Sequence, residues 1–245
     1  PMLNAEQIQS NWDKHIKIVN HYITGERKQK VLDMLNAMSD IYCMAPASGK
    51  TWYHNAFAGG YVDHVNRVVQ YTVKQSNLYK EMGGTIDYTD EQLVFAALFH
   101  DLGKLGDGEK PNYIPQTDKW RQDKLSEMYT FNPELDFMLI PDRSLFILQK
   151  FGIQVDQKEF LGIRCHDGVF DKANEAYFFS NVESSRQKTA LISVLHTGDF
   201  LASKVEYDLW KKQGGESKPK VTTSKSTTGR PVKASEGLSN LIKNI

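Results

Sequence analysis

The sequence predicts an all-α protein, and three observations carry that expectation. Large apolar residues recur at three- and four-residue spacing, as in Ile8, Trp12, Ile16 and Val19, which is the period of a helix with one buried face. Almost nothing alternates with the two-residue period of a half-buried strand. Helix-start signals precede two of the apolar runs, where Thr89 is followed by Gln92 and Asp156 by Glu159 at the three-residue spacing of a capping box.

Taken in order, residues from about 5 to 44 read as two helices, the second carrying Val31, Leu32, Leu35, Met38 and Ile41. His15 and His21 are assigned to the surface of the first. A break follows at Ala45-Pro46-Ala47-Ser48-Gly49. The next helix begins after Gly59-Gly60, shows an apolar stripe of Val62, Val65, Val68, Val69 and Val73, and ends at Gly83-Gly84. The helix opened by Thr89 contains LVFAALFH, apolar on nearly every side, which places it in the middle of the protein.

Between Gly106 and Pro141 lies a segment rich in Gly, Pro, Asp, Asn and aromatic residues. It is too long for an ordinary connector, and such insertions are often functional lids. Helices resume over about 143–151, again after Asp156, and from about 189 to 210. Beyond Trp210 the chain turns basic and low in complexity (KKQGGESKPKVTTSKSTTGRPVKASEG), a composition expected to be disordered. The final SNLIKNI is a short amphipathic piece suited to docking on the body or on a partner. The organisation expected is therefore N-terminal helices over 1–45 packed on the core, a main domain over 46–210 and a basic tail over 211–245.

Composition narrows the function classes. Lys plus Arg and Asp plus Glu both number 30, so there is no global electrostatic pull toward nucleic acid or an anionic membrane. Two cysteines, Cys43 and Cys165, cannot build a disulfide framework and suggest a reducing compartment. The polar first residues lack the apolar core of a signal peptide, and no apolar stretch approaches the roughly 20 residues of a membrane span. The expectation is a cytoplasmic protein.

The chemistry shows where polar residues interrupt apolar helices. His100 and Asp101 close the most apolar helix, Asp199 falls in line with Leu191, Leu195 and Ala202, and His64 lies one turn from Tyr61 and Val68. Burying an ionised carboxylate costs several kcal/mol unless it is paired or ligates a metal. Each position has an ordinary alternative: a hydrogen-bonded core histidine, an Asp101–Lys104 pair one turn apart, an Asp199 that caps a neighbour. Three helices each directing His or Asp inward, however, are satisfied together by one divalent ion. Imidazole and carboxylate suit Mn, Fe, Co, Ni, Zn or Mg. Ser48-Gly49-Lys50-Thr51 resembles the end of a P-loop, but Met44 replaces its first glycine and no strand precedes it, so a nucleotide-binding loop there is rejected.

The segments GGYVDH, FHDLGK and LHTGDFLASK resemble the three signature blocks of the HD-domain superfamily of metal-dependent phosphohydrolases. The resemblance covers roughly 46 to 210. It implies an HD-type helical bundle with His64, His100, Asp101 and Asp199 as metal ligands and Lys104 beside a substrate phosphate. His166 resembles an additional histidine of many HD enzymes, where it contacts the phosphate or a second metal. His196, one turn before Asp199, is a further candidate, and the count stays open between one ion and two. Asp101, Lys104 and His166 are the catalytic candidates. His54 and Asn55, just before the site block, are candidates for the pocket mouth, and Arg121, Trp120 and Tyr113 in the long insertion are candidates for contacting a phosphate or stacking a base.

The wording APASGKTWYHNAFAGGYVDH is similar to the HD branch of bacterial 3′–5′ exoribonucleases, although their OB-type domain has no visible counterpart here, and to HD proteins encoded by large tailed phages. The implied function is hydrolysis of a phosphoester of a nucleotide or related small molecule by a metal-activated water. Alternatives are a 3′–5′ exonuclease that tracks nucleic acid with its basic tail (Lys211, Lys212, Lys218, Lys220, Lys225, Arg230, Lys233), a di-iron oxygenase using His166 and His196, and a non-catalytic nucleotide-binding module.

Overall fold

The computed structural model describes residues 3–180 and 182–216. The protein is all-α, with ten α-helices among the described residues: α1 (Ala5–Tyr22), α2 (Gly25–Ala37), α3 (Ser39–Met44), α4 (Gly60–Glu81), α5 (Asp90–Phe99), α6 (Lys119–Leu125), α7 (Ile140–Lys150), α8 (Gln157–Cys165), α9 (Glu175–Phe178) and α10 (Leu191–Lys212). None of the described helices is long and apolar enough to cross a membrane. The expectations for disorder, terminal docking and a nucleic-acid arm fall almost wholly on 217–245, outside the described residues.

Helix α5 is the axis of the fold. Its residues from Leu93 to Phe99 are all buried, and it packs against α1, α4, α8 and α10. Burial of each large side chain contributes about 1.5–3 kcal/mol, so a helix apolar all round is stable only when enclosed in this way. Both anticipated capping boxes close: Thr89 Oγ1 accepts from the Gln92 amide, and Asp156 accepts from the Lys158 and Glu159 amides. Arg27 ties α2 to this frame. Its guanidinium lies 4.2 Å from the Phe95 ring centroid and donates to Glu91 and to the fully buried Glu159.

Several expectations need correction. The first 44 residues form three helices, because Ile23 is extended and Met38 leaves helical geometry. His15 is fully buried rather than on the surface, donating Nδ1–H to Asn66 Oδ1 at 2.9 Å. It lies three residues after Trp12 and four before Val19, inside the apolar stripe itself. Helix α7 starts at Ile140, because a proline at its first turn has no hydrogen bond to lose there.

The insertion contains two strands of three residues each, too short to show the two-residue period. Strands β1 (Tyr113–Pro115) and β2 (Tyr129–Phe131) pair antiparallel, Tyr113 opposite Phe131, with α6 between them. The hairpin is anchored at both ends. Gly49 O accepts from the Met128 and Tyr129 amides, which gives the rejected P-loop look-alike a structural task. Buried Arg143 of α7 donates to Asn112 Oδ1 and to the Asp136 carbonyl.

Candidate metal centre

The centre is assembled by α4, the C-terminal end of α5, the end of α8 and the middle of α10. Helix α4 contributes His64; α5 runs into His100 and Asp101 and then a 3-10 turn, Leu102–Leu105. Gly103 lets that turn lie against α7, where any Cβ would collide with the Ile140 carbonyl. Helix α8 ends in His166, and α10 brings Asp199, His196 and Glu206. His64, His100 and Asp101 are buried, and the Asp199 side chain is 17% exposed, which leaves it the open side of the group.

The histidines share one orientation. His100 Nδ1–H donates to the Ala97 carbonyl at 2.7 Å, and His166 Nδ1–H to the Ile163 carbonyl at 2.7 Å. His64 Nδ1–H donates to Glu206 Oε1 at 2.9 Å. In all three the proton is fixed on Nδ1, so the Nε2 lone pair points to the interior, the arrangement that second partners impose on metal-binding imidazoles.

The three Nε2 atoms converge on two carboxylates. His64 Nε2 lies 3.2 Å from Asp199 Oδ1 and 3.4 Å from Asp101 Oδ2. His100 Nε2 lies 3.4 Å from Asp101 Oδ2 and 3.7 Å from Asp199 Oδ1. His166 Nε2 faces the other oxygen, Asp101 Oδ1, at 3.4 Å. His64 Nε2 and His100 Nε2 are buried without a hydrogen-bond partner. Lone pairs of nitrogen facing carboxylate oxygens repel unless positive charge lies between them.

That demand sets the direction of every ionisation in the centre. Burial alone would depress His64, but Glu206, Asp101 and Asp199 outweigh it and hold the ring well above its ordinary range. His100 is likewise pushed up to about 9 against its own burial, by Asp101 and Asp199. Burial would raise Asp101, yet Lys104, His100 and His166 hold it well below the carboxylate range, and His100 and His64 do the same for Asp199. Lys104 is a permanent cation on Asp101, and Arg67 is one on Glu206, shared with Asp63. Divalent charge at the converging Nε2 atoms would meet the demand without protons. His64, His100 and Asp101 have donor spacing that could hold a metal ion, as do His100, His166 and Asp199, and His54, His64 and Glu206.

The remaining candidates separate. Lys104 Nζ sits 2.7 Å from Asp101 Oδ2 and lines a cavity of about 210 Å³ with Asp101, His166, His196 and Asp199. His54 reaches the same cavity, its ring 4.7 Å from that of His64; burial, Lys104 and His64 push it down to about 3. His196 Nδ1–H donates to the His166 carbonyl at 2.6 Å, and it belongs to none of the three donor groups found among the described residues. Asn55 does not line the cavity. It adopts φ 40° and donates to Asp63 Oδ2 and to the Gly60 carbonyl, closing the start of α4. Arg121 is exposed on α6 with its guanidinium on Glu127, also away from the cavity, and Trp120 and Tyr113 do not line it either.

Glu206 was not singled out by sequence, although a signal existed. It falls two turns after Asp199 and one after Ala202, a carboxylate on the same buried face. No protein-family model matches this chain, and no curated protein or solved structure matches it significantly.

Proposed function

We propose that the chain is a metal-dependent phosphohydrolase of the HD type, with one divalent ion held by His64, His100, Asp101 and Asp199 and a nucleotide-type phosphoester as substrate. The observation that carries this reading is the pair of buried, partnerless ring nitrogens, His64 Nε2 and His100 Nε2, aimed at the oxygens of Asp101 and Asp199. Two imidazoles and two carboxylates would suit a divalent ion of borderline-to-hard character that also accepts oxygen donors. The chemistry such an ion supplies is activation of a water near neutral pH and polarisation of a phosphoryl oxygen.

The chain's own groups account for the rest. Glu206 holds His64 in the ligating tautomer, and the Ala97 carbonyl does so for His100. Lys104 presents a fixed positive charge in the cavity, placed to neutralise phosphate oxygens as charge develops on them. Burial opposes a charged His166, but Asp167 and Asp101 hold it up, so a second proton on Nε2, beside the one Nδ1 gives to the Ile163 carbonyl, would be the one passed to the departing oxygen. A single ion is favoured because His196 stands outside the donor groups, which also weighs against the di-iron oxygenase.

The test is a metal-stripped full-length chain reconstituted in parallel with Mn, Fe, Co, Ni, Zn and Mg. It is screened against nucleoside mono- and triphosphates, cyclic nucleotides, oligonucleotides and simple phosphoesters. Hydrolysis that disappears together with bound metal in Asp199→Ala is the expected result. Metal uptake without any hydrolysis removes the hydrolase reading, and two irons with oxygen consumption replace it with the oxygenase.

A further inference from the structure

The cavity lined by Asp101 and Asp199, with Lys104 and His166, is small. At about 210 Å³ it falls below the roughly 300–1,000 Å³ usual for small-molecule sites. A phosphoester end enters such a space; the remainder of a larger substrate has to rest on the rim, and the rim is aromatic. Phe170 and Phe200 both line the opening, stacked with ring centroids 6.2 Å apart and 18° between their planes. Phe170 is 77% exposed, an unusual position for a phenylalanine beside a highly charged site.

Both rings are held in place. Phe200 follows Asp199 directly on α10, so its position is tied to a candidate ligand. Phe170 ends a short 3-10 turn whose Gly168 has φ +58° and lies against the His196 ring, where a Cβ would collide. Asn174 Nδ2 donates to the Gly168 carbonyl at 2.9 Å and fixes the turn from the other side. Lys204 Nζ lies 4.9 Å from the Phe200 ring centroid, so the platform also carries a cation at its edge.

We propose that Phe170 and Phe200 form a stacking platform for the nucleobase of a nucleotide whose phosphate enters the cavity. The inference rests on the phosphoester reading above and names what lies beyond the phosphate. A flat π-face accepts any base, so the platform selects for the presence of a base and not for its identity. Stacking of one base is worth about tenfold or more in affinity by this kind of contact. The still more exposed Phe137 does not line the cavity and serves as a control.

The experiment is a calorimetric titration of the Mn-loaded full-length chain with adenosine 5′-phosphonate and with ribose 5-phosphonate, which resist hydrolysis. Wild type should bind the nucleoside ligand at least about tenfold tighter. Phe170→Ala should remove most of that preference, Phe170→Trp should retain it, and Phe137→Ala should leave it as in wild type. Equal affinity for the two ligands, no binding of either, or a preference that survives both Phe170→Ala and Phe200→Ala would overturn the platform. Because the readout needs no turnover, a preference for the nucleoside ligand without hydrolysis of any substrate upholds the platform and removes the hydrolase reading, whereas hydrolysis with equal affinity for the two ligands does the reverse.

Discussion

Glu206 and His64 are 142 residues apart in the chain and meet in a 2.9 Å hydrogen bond inside the bundle, at a carboxylate that also accepts from Arg67. The contact fixes the proton on Nδ1 and leaves Nε2 free for the centre. Glu206→Gln keeps an acceptor but loses the charge, so His64 becomes a poorer donor. Metal affinity should fall about 10-fold or more, measured by chelator competition with Mn, while helical content stays constant. Unchanged affinity would show that Glu206 serves packing only.

Lys104 makes a sharper separation between holding the metal and using it. Its ammonium lies 2.7 Å from Asp101 Oδ2 but offers no lone pair to a cation at neutral pH. Lys104→Met should therefore bind metal no more weakly than wild type. Its kcat/KM for a phosphoester should drop about 100-fold, the usual cost of removing one charge-stabilising donor. Loss of the metal along with activity would make the lysine a structural partner of Asp101.

His166 is tested through the leaving group. If it donates the proton, His166→Gln should lower turnover of alkyl phosphoesters about 100-fold and that of aryl phosphoesters, whose oxygen leaves readily without a proton, far less. Metal content should stay at one ion per chain. Equal losses on both substrate types would point to positioning, and loss of the ion would add His166 to the ligands.

The all-α fold was legible because α1 and α4 repeat apolar residues at helical spacing, α5 is apolar on every side, and Thr89 and Asp156 announce where helices begin. His64, His100, Asp101 and Asp199 stood out because each is a polar residue on an apolar face. Glu206 obeys the same rule and was overlooked because its neighbours Lys204, Tyr207 and Asp208 make that turn look solvated. Asn55 is near the site in sequence and Arg121 has phosphate-binding chemistry on a long insertion, but neither property brings a side chain to the cavity. The actual neighbours of the cavity, Phe170 and Phe200, come from a turn and a helix face whose meeting depends on tertiary packing. The hairpin escaped because three-residue strands are too short to show a period.

Buried His15 predicts a pH dependence of stability distinct from that of the candidate metal centre. Burial pushes it down to about 4, only partly offset by Asn66, and its Nε2 has no partner. The folded value lies below the unfolded one of about 6.5, so between the two the unfolded chain binds more protons. The neutral ring's stabilisation is complete above about pH 6.5 and is lost as pH falls toward 4, on the order of 3 kcal/mol in full. Urea midpoints of wild type and His15→Gln at pH 7 and pH 5 isolate this contribution, because the other histidines are common to both. The variant should lose less stability on acidification, and equal losses would exclude His15 as the source.

The Arg27–Glu159 pair makes a last prediction about stability alone. Glu159 is fully buried, accepts two 2.8 Å contacts from Arg27 and also accepts from the Asp156 amide in the capping box of α8. Arg27 in turn covers the Phe95 ring and bonds Glu91, so one guanidinium joins α2, α5 and α8. Removing it strands a buried carboxylate, which costs about 3–5 kcal/mol, whereas the lost apolar contact alone is smaller. Arg27→Met keeps cover over Phe95 and loses the charge; Arg27→Ala loses both. If the stranded carboxylate dominates, both variants should fall by similar amounts in urea unfolding, and Glu159→Gln should recover part of the loss in either. If Arg27→Met instead unfolds like wild type, the guanidinium acts through its contact with the ring, and the ion pair contributes little to stability.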